Sequence, residues 1–122
     1  MKVYKTNIIK GLEDLASYHF QKIAWFENNQ GLSSSFSEDV EAVFMDTGLE
    51  DALDANEIVF GKEADEALRD LDKTVDNIGY HHDEREFINS PEMKVVREKA
   101  VRVLGLIKTS DGSGSTVEII EQ

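Results

Sequence analysis

The sequence predicts a mostly α-helical, single small domain, bundle-like and of about five helices, and three observations predict it. Apolar residues recur at three- and four-residue spacings around 12–27, 62–78 and 91–107, the period of a helix with one buried face. Capping residues punctuate those runs: Ser35 followed by Glu38, Gly79, and Ser90 followed by Pro91. A chain of 122 residues with 40% hydrophobic side chains can bury one modest core without cross-links. It has no cysteine, which excludes disulfides, thiolate metal ligands and cysteine nucleophiles. The domain is expected over 1–108, with 109–122 a flexible linker followed by a tail or short strand.

Residues Met1 to Lys10 alternate weakly through Val3, Tyr4, Ile8 and Ile9 and read as a short strand or an extended lead-in. From Leu12 to about Asn28, Leu12, Leu15, Ala16, His19, Phe20, Ile23 and Phe26 share one helical face, and Glu13 and Asp14 in the first turn suit the helix dipole. The turn-rich NNQGLSSS follows, with Gly31 as a helix stop. A second helix from Phe36 to about Asp46 buries Phe36, Val40, Val43 and Phe44. Thr47 and Glu50 repeat the capping spacing before a short third helix through Asp54, with Leu49 and Leu53 as its apolar contacts. In the fourth helix Ala64, Leu68, Leu71, Val75 and Ile78 form a narrow stripe closed by Gly79. The polar HHDEREFIN reads as a loop. The fifth helix puts Met93, Val96, Ala100, Val103, Leu104 and Ile107 on one face, with Gly105 a mild propensity penalty. TVEIIEQ at the end is either an unstructured tail or a strand pairing with the Val3 to Ile9 region.

Charge is distributed unevenly. Between Glu38 and Glu86 there are seventeen acidic residues against four basic ones, a local net of -13 in a chain whose total is -12. Such a surface repels a phosphate backbone and offers no basic footprint, so no direct nucleic-acid binding is expected. No apolar run approaches membrane-spanning length, and the N-terminus lacks an apolar signal-type segment. The expected location is cytoplasmic, with no membrane partner.

Two spacings invite a catalytic reading. Glu38/Glu41 and Glu63/Glu66 are i, i+3 pairs, and carboxylates so placed on two facing helices can hold magnesium and present it to a diphosphate or triphosphate. In these four residues the chain is similar to the all-helical nucleoside triphosphate pyrophosphohydrolases of the MazG-like kind. The resemblance implies a divalent-metal-dependent nucleotide pyrophosphohydrolase, with Mg as cofactor. Helical geometry opposes it, because at about 100° per residue Glu38 and Glu41 turn away from the Phe36/Val40/Val43 stripe and Glu66 from the Ala64/Leu68/Leu71 stripe. His81, His82, Asp83 and Glu84, with His19, have metal-binding chemistry but no spacing that converges them, and a polar helix cap and loop is the preferred explanation. No G-x-S-x-G, P-loop or zinc-protease motif is present.

The preferred reading is an acidic protein-binding or inhibitor module without bound cofactor, acting on a basic protein partner. On the fourth helix Asp65, Arg69, Asp72 and Asp76 share one flank, with Glu63 and Asp70 on the other, so the solvent arc is negative with little internal neutralisation. Small size and strong acidity resemble bacteriocin or contact-inhibition immunity proteins, and that likeness implies an immunity-like role. Asp65, Asp72 and Asp76 are the candidate contact carboxylates. Met45, pointing away from its helix's apolar stripe, and Tyr80, following the helix stop, are candidate apolar anchors. The plain alternative is an acidic surface that serves solubility.

Overall fold

Strand β1, Lys2–Tyr4, leads directly into helix α1, Lys5–Ala16, in a computed structural model that describes residues 1–27, 34–79 and 83–121. The helix starts earlier than the alternation of the first ten residues suggested. The reason is that Ile8 continues the stripe of Leu12 and Leu15, and all three are fully buried. Ser17 then breaks the expected first helix. Its backbone is extended and its hydroxyl accepts the Phe20 N–H, starting α2, Tyr18–Lys22, which continues as a π-helical turn over Ile23–Glu27. Break and widened turn shift the helical phase. His19, expected on the buried face, is exposed, whereas Gln21, Ala24 and Trp25 are buried.

Helix α3, Phe36–Phe44, starts where its cap predicts, with the Ser35 hydroxyl accepting the Glu38 N–H at 3.2 Å. The box expected from Thr47 and Glu50 does not form. Helix α4, Leu49–Asp54, begins instead at Gly48, in the left-handed region at φ 80°. Thr47 is buried, donating to the Val43 carbonyl and accepting the Leu49 N–H. Helix α5, Lys62–Ile78, buries Ala64, Leu68, Leu71 and Val75 as its stripe predicts. The HHDEREFIN segment contains a short helix, α6, Glu84–Phe87, capped by Asp83. Helix α7, Pro91–Thr109, buries all six residues assigned to its inner face, and Ser90 caps it through the Met93 N–H. The turn around Gly31, and Tyr80, His81 and His82, lie outside the described residues.

The layers follow from these faces. Helix α1 packs on both α3 and α7, and α7 packs on α5, so one core runs through the four helices. At the α1–α3 crossing Gly11 lets the backbones approach, since a Cβ there would stand 2.7 Å from Val43 Cγ2. Of the two readings left open for the terminal segment, the strand forms: β2, Glu118–Ile120, pairs in parallel with β1, Val3 opposite Ile119. Thr116 exchanges hydrogen bonds with Ile58, fixing the approach to this strand against the α4–α5 connector. Among the described residues no helix is long and apolar enough to cross a membrane.

Two glycines separate backbone necessity from mere composition. At Gly48 the positive φ disfavours any side chain and an added Cβ would collide with the Lys2 carbonyl, whereas Gly105 is helical and exposed with nothing within 4 Å. Gly48→Ala should therefore cost more than about 1 kcal/mol, and Gly105→Ala should stabilise by about 0.5–1 kcal/mol. Urea denaturation midpoints measure both, and shifts of the same sign would contradict the assignment.

Candidate functional site

Helices α4 and α5 bring four carboxylates into one another's field. Glu50 and Asp54 are one turn apart on α4 and Asp72 and Asp76 one turn apart on α5, and the charges of the two pairs act on one another. Asp72 is half-buried. Loss of solvent, followed by the negative charges of Asp76, Glu50 and Asp54, pushes its carboxyl up to about 6. Glu50 is raised as well, by desolvation and then by Asp54, Asp76 and Asp51. None of the four belongs to an ion pair among the described residues, where the acidic partners are Glu118, Glu121, Asp14 and Asp70. Arg69, on the same flank of α5, directs its guanidinium to the Leu53 carbonyl at 3.3 Å.

Asp65, read from sequence as part of this solvent arc, is a correction. It is 3% exposed, and its two oxygens accept the N–H groups of Val59 and Phe60, each at 2.9 Å. Helix α5 begins at a glycine with no capping side chain. The Asp65 carboxylate reaches back from the first turns to hold the connector, a structural duty that removes it from any contact surface. Asp72 and Asp76 remain at the surface, half-buried and exposed, and Met45 is 60% exposed at the end of α3. Tyr80 lies outside the described residues.

The proposed metal ligands are not brought together. Glu38, Glu41, Glu63 and Glu66 are all exposed. Glu63 and Glu66 border a shallow cleft with Asp70 and Arg102, without Glu38 or Glu41. Glu38 instead accepts the Ser35 hydroxyl at 3.1 Å, within the α3 cap. Among the described residues no group of three or more His, Asp or Glu is placed to hold a metal ion. Sequence periodicity turned Glu38, Glu41 and Glu66 toward solvent, and all three are exposed.

Sequence reasoning missed Asp39. It is 6% exposed, and the buried indole of Trp25 donates to its Oδ2 at 2.9 Å. Burial raises its carboxyl to about 6, opposed by the indole hydrogen bond and reinforced by the charges of Asp14 and Glu38. The signal was present in the helical angle, since Asp39 lies beside Phe36, Val40 and Val43. A carboxylate in an acidic run is ordinarily solvated, which hid it. Comparison of the chain with protein-family models, with curated proteins and with solved structures finds no match in any of the three.

Two outcomes test these assignments. Asp65→Ala leaves buried donors unmatched, and should destabilise by about 2–3 kcal/mol in urea titration, while Asp72→Asn should be neutral or stabilising. For Asp39 and Asp72 the folded value lies above the unfolded one, near 3.8. The folded state then binds the extra proton, so their contribution is favourable below about pH 4 and is lost as pH rises through about 6. The thermal midpoint should be higher at about pH 5.5 than at about pH 7.5, and Asp39→Asn should flatten that profile. A midpoint rising across this window would contradict the buried placement of Asp39.

Proposed function

We propose that the protein is an acidic binding module that engages a basic protein partner through the rows Glu50/Asp54 and Asp72/Asp76. The observation that carries this reading is the approach of the two rows without an ion pair among the described residues, with the Asp72 carboxyl raised to about 6 by burial first and then by the charges of Asp76, Glu50 and Asp54. Like charges kept so close weaken the isolated domain, and a partner supplying Lys or Arg would relieve the repulsion. Charge of this kind accelerates encounter and selects the partner, while affinity needs apolar contact. Met45 supplies exposed apolar surface just before the α3–α4 turn. A small acidic domain acting in this way serves as an inhibitor of the immunity type, covering a basic surface on its target.

Affinity capture from the native organism at low salt, eluted across a salt gradient, tests the reading. A basic protein should be retained and released by salt. Asp72→Asn with Asp76→Asn should lose it mainly through slower association, and Met45→Ala through faster dissociation. Because a cationic partner favours ionised Asp72, retention should strengthen as pH rises through about 6. Retention indifferent to the two Asn changes, or no retained protein at any salt concentration, would return the acidic rows to a role in solubility.

A further inference from the structure

The acidic rows supply charge. A groove of about 700 Å³ lies on the other flank of α5, between its C-terminal turns, α6 and the start of α7. Positions 74 and 78 face it while 72 and 76 face the rows, as about 100° per residue requires. The floor is apolar: Phe87 is buried with its ring edge-on to Phe36 at 4.9 Å, Ile78 is half-buried, and Val95 is 40% exposed. The rim carries Asp83, Glu86 and Glu92, and no Lys or Arg among the described residues lines it. Lys99 of α7, which reaches the groove-lining Thr74, is committed to Asp70 at 2.9 Å and to the Thr74 hydroxyl at 2.7 Å. The positive end of the α7 dipole is already met by the Ser90 cap and by Glu92 in the first turn.

An apolar floor inside a ring of separated carboxylates is complementary to one kind of occupant. Seating an apolar side chain on half-buried Ile78 and exposed Val95, over the buried Phe87, gains from area removed from water, and three rim carboxylates call for several positive charges around that side chain. A phosphate backbone or an anionic lipid surface is repelled by the same rim. We infer that the groove is the anchor site for a basic, amphipathic peptide segment of the protein partner, its apolar side chain on the floor and its Lys or Arg side chains on Asp83, Glu86 and Glu92. The inference rests on the reading of the chain as a binder of a basic partner, and adds the place where hydrophobic contact is made.

The test uses the full chain and two fluorescein-labelled peptides of equal charge. One places leucines at helical spacing among lysines, and the other has glutamine in place of each leucine. Fluorescence anisotropy at low salt should show the leucine peptide binding roughly tenfold tighter. Val95→Lys and the milder Val95→Ser should remove most of that difference, with an unchanged circular dichroism spectrum, and amide shifts on binding should centre on 74–78 and 83–95. Equal binding of the two peptides, or indifference to both Val95 changes, overturns the groove. If that equal binding is abolished by Asp72→Asn with Asp76→Asn, the acidic-partner reading survives without it. If neither peptide binds, both readings fall.

Discussion

Helix α7 lies against both α1 and α5, and the rest of the structure depends on that shared seam. Its inner face, from Met93 to Ile107, is buried along its length. Each of the larger side chains contributes about 1.5–3 kcal/mol on burial, in a class of domains whose net stability is only about 5–15 kcal/mol. Without α7, α5 loses the helix it packs on and α1 is left with α3. Polar groups fix the register of this seam. Gln21, fully buried, donates to the carbonyls of Asp14 and Leu15 and accepts from Arg97 of α7 at 3.0 Å. Arg97 also reaches the Ile88 carbonyl and lies over the Tyr18 ring. One guanidinium thereby joins α2, the turn after α6, and α7.

Two buried aspartates are accommodated by different means. Asp65 is met by a pair of backbone N–H groups, so a charge-assisted pair of hydrogen bonds compensates its loss of water and ties the α4–α5 connector down. Asp39 accepts the Trp25 indole N–H, no such backbone pair meets its oxygens among the described residues, and desolvation dominates its titration. The first arrangement builds the fold. The second couples the packing of Trp25 against Phe36, at 6.2 Å and edge-on, to the protonation of one carboxyl.

The surface carboxylates divide in a comparable way. Asp70 is neutralised within the domain by Lys99, and Asp14 is paired with Lys10. Among the described residues the rows on α4 and α5 form no ion pair, and no Lys or Arg lines the groove beside α6. Acidity thus lies on two surfaces flanking one helix, the rows of α4 and α5 on one side and the groove with its apolar floor on the other.

The sequence by itself determined α5 and α7, the start of α3, the caps at Ser35 and Ser90, and the inner residues of α7, because regular apolar period and local cap chemistry act over a few neighbouring residues. The concentration of negative charge was legible for the same reason. Only tertiary structure decided where the N-terminal helix breaks, since the extended backbone at Ser17 and the π-helical turn after it are compatible with the sequence period on either side. It also decided the parallel pairing of β1 with β2, a contact between the two ends of the chain that no local pattern encodes. The separation of Asp65 and Asp39 from their neighbours was decided there too. In sequence they are carboxylates among many, and the Val59 and Phe60 N–H groups or the Trp25 indole that make their burial tolerable arrive only when the chain has folded.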